Sequence, residues 1–156
     1  MSRVSEVMNT EVVSARPEDR LEDVVKILTA KKISGVPIVD TDNKVIGVIT
    51  DRDLLQYSEK LSIIPLIAYS AWVMPLPYYP DGIIYERKAE EFSKTLVRDV
   101  MSKKVVTIKG NDSWHDAARL MRKHSVNRVP VVDVDRKLIG IVTRTDLLNY
   151  LAEQDS

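Results

Sequence analysis

The sequence predicts a mixed α/β chain of the α+β type: two β-α-β-β-α repeats packed about a pseudo-twofold axis, with a partly helical apolar insert between them. Three observations predict it. The run Val45-Ile46-Gly47-Val48-Ile49-Thr50-Asp51-Arg52-Asp53-Leu54-Leu55 returns as Leu138 to Leu148, so that Gly47, Thr50, Asp53, Leu54 and Leu55 reappear as Gly140, Thr143, Asp146, Leu147 and Leu148. Val97 to Tyr150 aligns without a gap on Val4 to Tyr57, and roughly 20 of about 54 pairs are identical. Within each copy the apolar spacing changes from helical to strand-like at a fixed place. One such unit of about 55 residues buries too little surface to be secure alone, so the copies are expected to pack face to face and to leave a cleft between them.

Taken in order, Val4 to Met8 is expected to form a short leading helix and Val12-Val13-Ser14 a short strand. Pro17, Glu18 and Asp19 suit a first helical turn, and Leu21, Val24, Val25, Ile27 and Leu28 recur at helical spacing up to about Ala30. Val36 to Val39 reads as a buried strand, Asp40 to Lys44 as a hairpin turn, and Val45 to Ile49 as the returning strand. Thr50 stands where a helix N-cap would. The second copy repeats this order, with Asp112 and Asp116 for Asp19 and Asp23 and Val129-Pro130 for Val36-Pro37. The domain plan is therefore 1–60 for repeat 1, 61–95 for the insert and 96–156 for repeat 2.

Leu61 to Pro80 carries no charge, but Pro65, Pro75, Pro77 and Pro80 interrupt it, and its longest proline-free apolar run falls far short of the about 20 residues of a membrane-spanning helix. No membrane span is expected. An apolar stretch holding Trp72, Met74, Tyr78 and Tyr79 points to a partner surface, here a second copy of the chain, or else to packing on its own domain. A charged helix is expected from about Ile84 to Lys94.

Bulk composition removes several functions. Lys+Arg and Asp+Glu are both 23, so no net field favours nucleic acid, and there is no basic run. The absence of cysteine excludes disulfides, thiol nucleophiles and Cys-ligated zinc, and fits a cytoplasmic location. His115 and His124 have no metal-ligand spacing. Asp40, Asp42, Asp133 and Asp135 sit in tight turns without the later Glu of a calcium loop. The five glycines are scattered, so there is no phosphate loop, and no nucleophile stands with a base. Catalytic residues: none expected.

A carboxylate at Asp146 can accept hydrogen bonds from two ribose hydroxyls, and Thr143 together with the start of the following helix favours a sugar or phosphate. Thr50 and Asp53 repeat this. Against it stands a bland reading in which Thr-x-x-Asp is only a capping box that stabilises the helix start.

The two gapless copies of strand, helix, apolar-x-Pro strand, Asp turn, Gly-containing strand and Thr-x-x-Asp-Leu-Leu resemble a pair of cystathionine β-synthase (CBS) domains, a Bateman module. The resemblance covers nearly everything except residues 58–95. It implies a regulatory, non-enzymatic module with no obligatory cofactor that binds an adenosine-containing molecule (AMP, ADP, ATP, S-adenosylmethionine or a relative) between the repeats. It also implies a homodimer and a separate effector protein. Arg128 stands where similar modules place a phosphate contact, and its counterpart is Gly35, so the clefts should differ. By the family's crossed architecture the first-choice cleft would use Thr10, Val12, Ile33, Ser34, Arg128, Ile141, Thr143, Thr145 and Asp146. The second would use Val48, Thr50, Arg52, Asp53, Lys103, Val105, Val126 and Asn127. The competing expectation is a ligand-free scaffold acting through the apolar surface at 61–80.

Overall fold

A computed structural model describes residues 2–61 and 82–154. In chain order the elements are α1 (Val4–Val7), α2 (Leu21–Lys31), β1 (Gly35–Val39), β2 (Val45–Thr50), α3 (Asp51–Lys60), α4 (Gly82–Lys94), a 3-10 turn (Val97–Asp99), β3 (Ile108–Lys109), α5 (Trp114–His124), β4 (Arg128–Val132), β5 (Leu138–Thr143) and α6 (Arg144–Gln154). The sheets are small: β1 pairs with β2, and β3, β4 and β5 follow one another in a second sheet. β4 runs parallel to β3 and antiparallel to β5. The apolar stretch expected as a partner surface lies, beyond Leu61, outside the described residues.

Local chemistry sets the boundaries. α2 begins at Leu21, later than the first turn expected at Pro17 to Asp19. The Asp19 carboxylate instead accepts from Arg16 N at 2.9 Å in a turn of its own, and Asp23 accepts from Arg20 N at 3.3 Å at the true helix start. α5 begins on a full capping box: Ser113 Oγ accepts from Asp116 N at 3.2 Å and Asp116 Oδ2 accepts from Ser113 N at 3.4 Å. Both helices end on a left-handed residue, Lys32 and Ser125, each at φ 54°. The strand expected at Val12 to Ser14 is not formed. In the second repeat the ladder starts one step later, at Ile108, which pairs with Val131; β-branched residues report a half-buried surface, which is where Val12 and Val13 lie, and not a pairing partner.

The hairpin turns repeat atom for atom. Asp40 Oδ1 accepts from Asp42 N and Lys44 N, both at 2.9 Å, and Asp133 Oδ1 accepts from Asp135 N and Lys137 N, both at 2.9 Å. Each turn needs one left-handed residue, Asn43 at φ 62° and Arg136 at φ 64°. Asn tolerates that region and Arg does not, so Arg136→Gly is expected to stabilise the protein by about 0.5–1 kcal/mol in chemical denaturation. An unchanged or lower stability would show that the Arg136 side chain offsets its backbone strain.

Two compact units emerge, and neither coincides with a sequence repeat: Met1–Ser14, Pro37–Gly47 and Lys103–Ser156 form the first, Ala15–Val36 and Val48–Ser102 the second. In the first, Val4, Ile108, Val129, Val131, Val142 and Leu147 form the buried core, and Val39, Val45 and Val132 a smaller cluster. The chain's own leading residues close it. Val4 N donates to Asp112 O at 2.8 Å and Ser5 N to Gly110 O at 3.0 Å, while Asn9 and Ile141 exchange bonds of 2.8 and 2.9 Å. The second unit makes the same bonds with the leading residues of repeat 2. Val97 N donates to Asp19 O at 2.8 Å, Arg98 N to Pro17 O at 2.9 Å, and Val48 and Ser102 exchange bonds of 3.0 and 2.9 Å. Each unit thus takes its leading segment from the repeat that does not supply its helices.

Candidate functional site

The turn from β5 into α6 is built by Thr143 and Asp146. Thr143 N donates to Asp146 Oδ2 at 2.8 Å, and Asp146 N donates to Thr143 Oγ1 at 3.2 Å. The capping box is therefore made in full. It occupies Oδ2 of a half-buried carboxylate and is compatible with ligand hydroxyls at Oδ1. Arg128 opens β4 directly opposite Thr143 in the ladder, which brings a guanidinium onto the strand beside the turn. Thr145 is exposed in the first turn of α6, where the positive end of the helix dipole favours an anion.

Ile141 lies half-buried on β5, and its backbone pairing with Asn9 leaves Thr10 one residue further along the leading segment, with half-buried Val12 beyond it. Seven of the first-choice residues, all but Ile33 and Ser34, thus belong to one compact unit. Ile33 and Ser34 belong to the other, where Ile33 N closes α2 on Leu28 O at 3.1 Å and Ser34 O accepts from Asp51 N at 2.8 Å.

The turn from β2 into α3 repeats the chemistry. Thr50 N and Thr50 Oγ1 donate to Asp53 Oδ2 at 2.9 and 3.1 Å, and Asp53 N donates to Thr50 Oγ1 at 3.3 Å. Arg52 is exposed beside them, and Val48 carries the pairing to Ser102. These four residues belong to the second unit, whereas Lys103, Val105, Val126 and Asn127 belong to the first. There Val105 packs on Val39, Val45 and Val132, and Asn127 fastens the start of α6 by accepting from Arg144 N at 2.9 Å.

Packing explains why the repeats differ at the Arg128 position. A Cβ on Gly35 would lie 2.9 Å from Ile49 O and 3.1 Å from Thr50 Cγ2, so β1 approaches β2 too closely there for any side chain. No arginine can stand beside Thr50 without moving a strand. In the second sheet Arg128 stands opposite Thr143, where the first has a glycine with no room for a Cβ.

A second concavity was not foreseen from sequence. A groove of about 580 Å³ runs between α5 and α6, over Trp114, Met121, Leu147, Leu148 and Leu151, with Val126 and Asn127 at its edge. Its sequence signal is the apolar pair Leu148 and Leu151 on one face of a helix, exposed by 58% and 42%. Among the described residues no cluster of His, Cys, Asp and Glu could hold a metal ion, and no helix is long and apolar enough to cross a membrane.

The CBS domain family matches residues 4–60 and 97–153. The chain is 35% identical over 152 residues to protein MJ1426 of Methanocaldococcus jannaschii, covering 95% of this chain and 90% of that one. It is 29% identical to the inosine-5'-monophosphate dehydrogenase of the same organism, but spans only 23% of that enzyme. Among solved structures, CBSX2 of Arabidopsis thaliana in complex with AMP superposes with a TM-score of 0.75 at 24% identity, over 100% of both chains. The CBS domain pair of protein MJ0100, in complex with 5'-methylthioadenosine and S-adenosyl-L-methionine, gives a TM-score of 0.68 at 23% identity, covering 99% of this chain and 98% of that one.

Proposed function

The chain belongs to the CBS domain family as a tandem pair, and on that premise we propose that it is a regulatory module that binds an adenosine-containing ligand and transmits the binding to a separate effector protein. The observation that carries this reading is the Thr-x-x-Asp turn made twice with the same reciprocal backbone-to-side-chain bonds, Arg128 standing opposite Thr143 in the second copy alone. Asp146 receives the ribose hydroxyls, and Thr143, Thr145, Arg128 and the start of α6 receive the sugar or phosphate. Thr10, Val12, Ile33, Ser34 and Ile141 line the adenine. The Thr50 and Asp53 turn, with Val48, Arg52, Lys103, Val105, Val126 and Asn127, forms a weaker second site, since Gly35 brings no guanidinium to it.

The AMP complex of CBSX2 and the 5'-methylthioadenosine and S-adenosylmethionine complex of MJ0100 support this ligand class. Binding, and not catalysis, is the role, because the match to the dehydrogenase is confined to a minor part of that enzyme. The module acts as a homodimer, and a ligand that touches both repeats shifts the population toward one arrangement by no more than its differential affinity. Calorimetric titration with AMP, ADP, ATP, S-adenosylmethionine and methylthioadenosine is the test. Saturable binding of at least one of them is expected, and flat titrations for all five would sink the reading.

A further inference from the structure

All of the chain's sulfur is thioether: it has five methionines and no cysteine, so an oxidant that acts on sulfur acts on methionine. Met8 occupies a seat unlike an ordinary core position. It ends α1, with its N–H on Val4 O at 2.9 Å, and the chain leaves it extended, at ψ 154°, into the antiparallel pair of Asn9 and Ile141. Its side chain lies across β5 over Gly140. A Cβ on Gly140 would stand 2.5 Å from Met8 Sδ, 3.0 Å from Met8 Cγ and 3.1 Å from Asn9 O, so only a glycine leaves room for the thioether. Gly140 is buried beneath it, whereas Met8 is half-buried and packs on the core that holds Val4 and Val142. The residue is thus open to solvent on one side and part of the packing on the other.

An oxygen added to that sulfur finds no partner in the seat. Oxidation turns a flexible apolar side chain into a polar one and adds bulk at an atom that has no room toward Gly140. Asn9 O, on the same side, is itself an acceptor, and the amides of Asn9 and Ile141 already donate to each other's carbonyls at 2.8 and 2.9 Å. For the new oxygen to be hydrated, the side chain has to leave its seat. Its departure uncovers Gly140 and strips the packing from the two bonds that hold the leading segment on β5. That segment carries Thr10 and Val12, and it pairs with Ile141; all three are assigned above to the adenosyl ligand.

We propose that Met8 is an oxidation site through which a peroxide releases the leading segment from β5 and lowers the ligand affinity of the Thr143 and Asp146 site. In the step itself a lone pair of Sδ attacks one peroxide oxygen, the S–O bond forms and the O–O bond breaks. The sulfur gives up two electrons, and the other peroxide oxygen leaves as water after proton transfer. A methionine sulfoxide reductase reverses the change. The effect on affinity rests on the ligand reading above, whereas the release of the segment does not. Met121, 7% exposed, is shielded, and half-buried Met101, the counterpart of Met8 in repeat 2, is the competing target.

The full chain carrying Met101→Leu is treated with hydrogen peroxide, freed of it, and compared with its untreated form. Peptide mass spectrometry is expected to find Met8 oxidised ahead of Met121. The treated protein should show a thermal midpoint lower by about 4 °C, faster hydrogen exchange at Asn9 and Ile141, and about tenfold weaker calorimetric binding of AMP and S-adenosylmethionine. Adding Met8→Leu should make midpoint, exchange and affinity the same before and after treatment. Met8→Gln, which puts a polar group in the seat, should reproduce the oxidised behaviour with no peroxide. An oxidised Met8 in a protein that exchanges like the untreated form overturns the proposal. So does an equal response to peroxide in Met8→Leu, or a Met8 that stays reduced while free methionine in the same solution is consumed. Absence of AMP and S-adenosylmethionine binding before treatment counts against the ligand reading and overturns the effect on affinity with it; exchange and midpoint then still decide whether oxidation releases the segment.

Discussion

A chain lacking residues 2–10 is expected to lose the fold of the unit that contains Lys103–Ser156, although not one residue of repeat 2 is removed. Val4 is fully buried in that unit's core, among Ile108, Val129 and Val142, and exposing the core beneath it costs about 1.5–3 kcal/mol. Four backbone bonds disappear with it, those of Val4 and Ser5 to Asp112 and Gly110 and the reciprocal pair between Asn9 and Ile141, at about 0.5–1.5 kcal/mol each. The close approach at Gly140 is emptied too, where Met8 Sδ lies 2.5 Å from the position a Cβ would take. The combined loss of about 4 kcal/mol or more approaches the whole stability of a small domain. Hydrogen exchange should show unprotected amides on β4 and β5. Protection like that of the full chain would mean that the leading segment is an ornament, and the exchange of segments between repeats would lose its structural meaning.

Asp146→Ala is expected to weaken binding of the responding adenosyl ligand by about 1.5–3 kcal/mol, some ten- to a hundredfold, because charge-assisted bonds to the ribose are lost. Asp53→Ala should weaken it far less. Both substitutions break the same reciprocal capping box, Asp53→Ala losing in addition the bond from Thr50 Oγ1, so each should also cost about 1 kcal/mol or more of stability, and measuring that cost beside binding serves as an internal control. A pair of variants equally destabilised and equally able to bind would leave Asp146 as a helix cap and nothing more.

The repeated elements were legible because their causes are local. The Asp turns at Asp40 and Asp133, the caps at Thr50 and Thr143, and the helical stripe of Leu21, Val24 and Leu28 depend on residues within one or two turns of chain, and all are formed. The helix expected from about Ile84 begins at Gly82. What was missed depends on partners distant in sequence. Val12 and Val13 have the composition of a strand, but the ladder forms where a neighbouring strand is available, at Ile108. The composition of the compact units was hidden for the same reason, since no local pattern says that Val4 will pack with Ile108 and not with Ala15. At the candidate site the turn residues were readable, whereas the strand spacing that excludes a side chain at Gly35 and the groove between α5 and α6 arise only from packing.

The exchanged leading segments also set an order of events during synthesis. The second unit, Ala15–Val36 with Val48–Ser102, has all its parts once residue 102 has left the ribosome. The first cannot close until the strands after Lys103 arrive, so residues 2–14 must wait through most of translation for partners roughly a hundred residues downstream. At about 5–20 residues per second that wait lasts several seconds, during which Val4, Val7 and Met8 have no core to enter. Contacts of such long separation make closure of this unit the slow step of folding, and they make nascent residues 2–14 a natural client for a chaperone or, at high concentration, for the vacant strand edge of another copy.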